Sequence, residues 1–260
     1  MNISIIGIGN VGSALATRLF QNGHKIIQLF SRNHQKAEKL ALEVDAQPCS
    51  NLNNIIAGAD LYILAVHDDA IAKVAQSITV GDALVVHSSG ATPLGVFEGI
   101  VSNYGVFYPL QTFSNAYPPD FSELPICVAA NQEKSLQLLI GLAETICPNV
   151  YMITEAQREA LHVAAVFVNN FSNHLFAMAY DICQQEGLDF NILKPLIRQT
   201  IQKIEEGTPA TVQTGPAARG DTGTIARHLA WLAQKEPYYK TIYQAMTNSI
   251  LDSKKNKGGE

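Results

Sequence analysis

The chain has 260 residues with 18 Lys and Arg against 23 Asp and Glu, a formal net charge of -5, and a hydrophobic fraction of 47%, enough for a packed core in one large or two ordinary domains. That balance gives no electrostatic footprint for nucleic acid or an anionic membrane surface, and no apolar run approaches the ~18 to 20 residues that cross a bilayer. Cys49, Cys127, Cys147 and Cys183 form no Cys-x-x-Cys pair, which argues against a metal site, and with no signal-like leader they read as buried thiols of a cytoplasmic protein.

Residues 3–8 alternate and then run apolar, turn through Gly7-x-Gly9-x-x-Gly12, and lead into Ser13-Ala14-Leu15-Ala16 at helical spacing. A strand that feeds a glycine turn opening a helix is the context in which this pattern signifies dinucleotide binding. Gly7 permits the bend, Gly9 lets a pyrophosphate approach the main chain, and Gly12 lets helix and strand pack closely. Asn10, Val11 and Gly12 then offer the free N–H groups of a helix start to the phosphates.

Lys25 to Phe30 reads as the second strand and ends at Ser31-Arg32-Asn33, where such a fold meets the adenosine ribose. No Asp or Glu stands there to accept from a 2′-hydroxyl. Ser31 and Arg32 instead suit a 2′-phosphate, so NADP is expected over NAD. The alternative for Arg32 is a solvated loop position.

A helix over 34–43, a short strand over 46–50, a buried strand over 59–66, a helix over 70–78 and a strand over 83–87 follow. This alternation predicts an α/β fold with a doubly wound parallel sheet, whose ligands lie beyond the C-terminal strand ends. Val66 and His67 then border the cofactor cleft, with Asp68 and Asp69 read as helix caps. Ser88 and Ser89 are either substrate contacts or a serine turn. A strand from Gly105 is ended by Pro109, and Gln111, just after it, is a further candidate substrate contact. A strand over 125–130, a helix over 133–147 and a strand over 150–153 complete a first domain of residues 1–153.

From Thr154 the texture changes. Thr154-Glu155-Ala156-Gln157 suits a capping box, and no Pro or Gly occurs before Gly187, which predicts one long helix. Helices over 195–206, from Asp221 or Thr222 to Gln234, and from Pro237 follow, giving an all-helical domain of residues 154–252. Residues 253–260 are expected to be a frayed tail. Asp221 reads as a helix cap, and Arg219 either binds a substrate carboxylate or phosphate or locks its loop.

The glycine turn, His87-Ser88-Ser89-Gly90, Tyr108 to Phe113, His162 to Phe171 and Thr214 to Asp221 together resemble the 6-phosphogluconate-dehydrogenase-like superfamily. The resemblance is to its branch of Rossmann-like NADP oxidoreductases with a C-terminal helical domain of unknown function, related to pyrroline-5-carboxylate reductase and deazaflavin-dependent NADP oxidoreductase. It implies an N-terminal NADP domain and a homodimer formed through the helical domain. Hydroxyacid dehydrogenases of the superfamily carry Lys-x-x-Asn-Asn on the long helix. Asn169 and Asn170 match the asparagines, but Val166 occupies the lysine position, so that proton donor is missing. His162, one helical turn upstream, is the candidate replacement, since an imidazole titrates near ~6.5. It could equally be packed and hydrogen-bonded between helices. Asn169 and Asn170 are candidate substrate or cofactor ligands beside it.

The expected function is therefore an NADP-dependent oxidoreductase moving hydride to or from a small carbonyl, imine or hydroxy substrate. The absent lysine keeps open a non-catalytic NADP(H)-binding sensor or scaffold.

Overall fold

The computed structural model describes residues 1–114 and 116–255, the last two of them by backbone alone. The chain divides into two compact units, Met1–Asn170 and Phe171–Glu260. The boundary falls within the long helical run, so the helix that begins at Thr154 belongs partly to the first unit.

The first unit is built on eight strands: β1 (Asn2–Ile6), β2 (Lys25–Phe30), β3 (Gln47–Cys49), β4 (Leu61–Leu64), β5 (Leu84–His87), β6 (Asn103–Pro109), β7 (Ile126–Ala130) and β8 (Val150–Met152). Their order is β3-β2-β1-β4-β5-β6-β7-β8. Neighbours run parallel except β6 and β7, whose register pairs Pro109 with Ile126. The link between those two strands carries no helix over its described residues, and antiparallel neighbours need none. The expectation of a parallel sheet thus holds for the dinucleotide half, with one antiparallel neighbour beyond it.

Helices α1 (Asn10–Gln21), α2 (His34–Glu43), α3 (Ile71–Gln76) and α4 (Glu133–Glu144) cover the sheet. Strand alternation divides the core in two. Ile3 and Ile5 join Leu15 and Leu19 of α1, Leu40 of α2 and Leu139 of α4, whereas Ile6, Tyr62 and Leu64 join Ile71 and Val74 of α3. Leu15 and Leu19 are fully buried, each stabilising the fold by about 2 kcal/mol. Burial on both sides explains why β1 and β4 read as near-continuous apolar runs.

Helix α5 (Glu155–Ala165) starts as expected, with Thr154 and Gln157 forming a capping box. A π-helical turn, Val166–Phe171, interrupts the predicted single helix before α6 (Ser172–Gln185) resumes it. No Pro or Gly marks that change. In the second unit α6 is followed by α7 (Lys194–Glu206), the short α8 (Pro216–Arg219), α9 (Thr222–Lys235) and α10 (Pro237–Lys255). Gly220 closes α8 at φ +71°, a conformation that favours glycine, and Asp221 caps α9 through the Thr224 amide. Of the expected tail, residues 253–255 continue α10, and 256–260 lie outside the described residues. No helix among the described residues is long and apolar enough to cross a membrane, and no cluster of metal-ligating side chains occurs among them.

Candidate active site

The three glycines of the first turn are required for different reasons. Gly7 has φ +98°, donates its amide to the Phe30 carbonyl at 3.0 Å, and leaves no room for a Cβ, which would lie 2.4 Å from the Ala65 carbonyl oxygen. A Cβ on Gly12 would lie 1.9 Å from the Gly7 carbonyl oxygen. Gly9 differs: its φ of -64° suits any residue, it is the N-cap of α1, and a Cβ there would meet nothing within 4 Å. The protein itself has no need of glycine at this position. A ligand lying against the main chain does, and the first amides of α1, which have no partner within the helix, face that space. This bare cradle fits a dinucleotide pyrophosphate. The Asn10 side chain is tied to the Phe113 carbonyl at 2.9 Å, so it is the Asn10 backbone amide, with those of Val11 and Gly12, that remains for phosphate.

At the end of β2 the Ser31 hydroxyl accepts from the Asn33 amide at 3.2 Å, and the Ser31 amide donates to the Cys49 carbonyl. Arg32 is exposed and makes no hydrogen bond or ion pair among the described residues, leaving its guanidinium free for a ribose 2′-phosphate. Val66 is half-buried and His67 exposed just beyond β4. Asp68 and Asp69 lie in the first turn of a short 3-10 segment and provide no side-chain cap, contrary to the expectation.

Beyond β5 and β6 lies the only histidine–tyrosine hydrogen bond of the first unit's described residues. The Tyr108 hydroxyl, at the end of β6, is 3.2 Å from Nδ1 of His162 on α5. Gly90 permits this approach, since a Cβ there would stand 2.5 Å from His162 Nδ1 and 2.7 Å from the Tyr108 ring. Burial pushes the Tyr108 phenol up to about 12, so it stays protonated at neutral pH. The hydroxyl donates to Nδ1 where the imidazole proton is on Nε2, and accepts from Nδ1–H in the other tautomer.

Ser89 takes the turn role rather than a free substrate-contact role: its buried hydroxyl accepts from the amides of Ala91 and Thr92. Ser88 is half-buried with no side-chain hydrogen bond among the described residues. Gln111 is exposed and its side-chain Oε1 accepts from the Thr112 amide. Arg219 is exposed at the end of α8, in the second unit.

Asn169 and Asn170 lie in the π-helical segment that follows the helix carrying His162. Both are exposed, neither side chain makes a hydrogen bond among the described residues, and the π turn breaks the helical spacing on which a shared stripe depends. Burial, the premise for giving them obligatory partners, is absent in the chain alone.

Sequence reasoning missed Arg158. Only 2% exposed, it donates through Nη1 to the Ser89 carbonyl at 2.9 Å. The signal was its position four residues before His162, which puts both on one face of α5. Nearby, His87 is fully buried, with Nδ1 accepting from the Ser89 amide and Nε2 without a hydrogen-bond partner. Burial first, and the Arg158 charge second, hold His87 down at about 4, so it is neutral in the fold. A separate cleft of about 440 Å³ runs beside α1 under the loop at Phe113–Phe121, and none of these histidines or Tyr108 lines it.

Residues 2–88 match the family described as NADP oxidoreductase, coenzyme F420-dependent, and residues 124–250 match a domain of unknown function, DUF2520. Among solved structures, BF3122 from Bacteroides fragilis, described as an NADP oxidoreductase, is 38% identical with a TM-score of 0.90, covering 96% of this chain and 98% of that one. Imine reductase from Myxococcus stipitatus in complex with NADP+ shares the fold at 17% identity and a TM-score of 0.69, over 98% of this chain and 95% of that one. The uncharacterized oxidoreductase YfjR of Bacillus subtilis (strain 168) is 26% identical over 181 residues, which is 68% of this chain and 55% of YfjR. The match thus spans about half of that curated relative's length.

Proposed function

We propose, from the premise that the chain belongs to the NADP oxidoreductase family and joins a coenzyme-F420-dependent NADP oxidoreductase domain to a DUF2520 domain, that it reduces a small carbonyl or imine with NADPH. The observation that carries the reading is the Tyr108–His162 pair at the C-terminal strand edge of the sheet whose first turn is the bare Gly9 cradle. NADPH bound on that turn supplies the hydride.

The chain's own residues then divide the work. Amides of Asn10, Val11 and Gly12 hold the pyrophosphate, Ser31 and Arg32 take the 2′-phosphate, and Val66 and His67 flank the ribose and nicotinamide. Ser88, Gln111, Asn169 and Asn170 are offered as substrate contacts. In its imidazolium form His162 gives the Nε2 proton to the substrate nitrogen or oxygen as the carbon is reduced and is left a neutral imidazole, and Tyr108 fixes the ring through Nδ1. The oxidised substrate thus gains one hydride on carbon and one proton on the heteroatom.

Helix α7 supports assembly as a homodimer. It buries none of its residues, and Leu196, Ile201 and Ile204 lie exposed on it. An amphipathic helix with its apolar residues uncovered within the chain gains stability by packing on a second copy.

The test is NADPH oxidation with a panel of cyclic imines and ketones by wild type and His162→Ala. Turnover lost in the variant with NADPH binding retained supports the reading. Wild-type binding of NADPH without turnover of either class favours the sensor or scaffold instead.

A further inference from the structure

Three residues of α5 lie on one face and meet one stretch of chain. Glu155, Arg158 and His162 stand at i, i+3 and i+7, within about 60° of one another around the helix. The Glu155 carboxylate accepts from the Leu94 amide at 2.8 Å and Arg158 donates to the Ser89 carbonyl at 2.9 Å. His162 lies against Gly90, where a Cβ would stand 2.5 Å from its Nδ1. All three partners belong to the segment that follows β5, and that segment is itself fixed. The Ser89 amide donates to Nδ1 of His87 and its hydroxyl accepts from the Ala91 and Thr92 amides, so with its carbonyl on Arg158 the turn keeps little freedom.

We propose that Arg158 is a positioning residue: by holding the Ser89 carbonyl it sets the rotation and height of α5, and thereby the Tyr108–His162 contact. This rests on the proposed reductase reading, in which His162 is the proton donor, and in this role Arg158 touches neither substrate nor cofactor. Packing alone does not set that register. Leu161 of α5 joins Leu94 against the small core of Val106, Tyr108 and Cys127, but apolar contact is non-directional, whereas a charged hydrogen bond is not. A slip of α5 by one residue turns its face by about 100° and moves it about 1.5 Å, enough to take His162 Nδ1 out of reach of the Tyr108 hydroxyl, now 3.2 Å away. Arg158 is the deepest of the ties, at 2% exposed. Burial lowers its guanidinium, and the Glu155, Asp68 and Glu159 carboxylates oppose that through space, so its charge is compensated within the chain. Glu155 is the second, outer point of the same latch.

The test follows the His162 Nδ1 resonance by NMR of the full chain labelled at its histidine nitrogens, assigned by its loss in His162→Gln, beside the NADPH Kd and turnover of cyclic imines and ketones. Arg158→Met removes the donor but fills the site with an apolar side chain, a replacement that buried charges often tolerate. The proposal expects the resonance to move as it does in Tyr108→Phe, and kcat to fall about 10- to 100-fold with the NADPH Kd within about twofold of wild type. Arg158→Lys, which keeps one donor, restores at least part of both. An unmoved resonance in Arg158→Met, or equal losses in Arg158→Met and Arg158→Lys, overturns it. Where Arg158→Met fails to fold, Glu155→Ala at the exposed outer point decides, since cutting the Leu94 tie must shift the same resonance and an unmoved one overturns the latch. A shifted resonance in a protein that turns over neither imine nor ketone upholds the latch and sinks the reductase reading, whereas wild-type turnover with an unmoved resonance does the reverse.

Discussion

At the level of single residues, the site joins groups the sequence separates widely. Replacing His162 by Ala removes the proposed proton donor and is expected to lower kcat by about 10²- to 10⁴-fold while leaving the NADPH Kd unchanged. Tyr108→Phe keeps the ring but not the hydroxyl that orients Nδ1, and is expected to cost about three- to tenfold in kcat, the worth of one neutral hydrogen bond. His87 makes a prediction about stability. It is neutral when folded, held at about 4, whereas its unfolded value is near ~6.5. Its contribution is complete above pH ~6.5 and is lost as the pH falls toward 4, because the unfolded chain then binds the extra proton. Urea unfolding of wild type should lose ~3 kcal/mol more over that interval than unfolding of His87→Gln. Equal slopes would refute this. His162 was legible from the sequence because an absent lysine drew the eye to its helix. Arg158 was signalled only by its place four residues before His162, because its near-complete burial and its bond to the Ser89 carbonyl depend on the tertiary fold.

Among the elements, the glycine turn makes the sharpest distinction between folding and binding. Gly12→Ala forces a Cβ into the Gly7 carbonyl and is expected to lower the Tm and to abolish NADPH binding together. Gly9→Ala meets only open space, so its Tm should stay within a degree or so of wild type while NADPH binding weakens at least tenfold. Thermal melts with NADPH titrations on the same samples separate the two, and a Gly9→Ala protein that binds normally would remove the cofactor from this turn. The strand–turn–helix grammar made β1, α1, β2, β4 and β5 readable, because each element's apolar period is local. The reversal of β7 was not readable, since strand direction depends on where a long connection returns. The π turn at Val166–Phe171 was hidden for another reason: the segment has no Pro or Gly to mark it, and only the hydrogen-bond register distinguishes it from an α-helix.

For the whole molecule, the exposed apolar residues of α7 bear on assembly. Sedimentation should find wild type as a dimer, and Leu196→Glu with Ile204→Glu should shift it to monomer without loss of helical content. A wild-type monomer at micromolar concentration would contradict that. The net charge gave no reason to expect nucleic acid and the cysteine spacing none to expect a zinc site, but nothing in a single sequence distinguishes an apolar stripe that packs within the chain from one left for a second copy. The cofactor is the part of the molecule on which everything else depends. The most direct measurement is therefore a fluorescence titration of wild type and Arg32→Ala with NADPH and NADH. Binding on the glycine turn with Arg32 at the 2′-phosphate requires NADPH to bind wild type about 10- to 100-fold more tightly than NADH, and that gap to close in the variant. Equal affinity of wild type for the two nucleotides, or a preference untouched by Arg32→Ala, would contradict it.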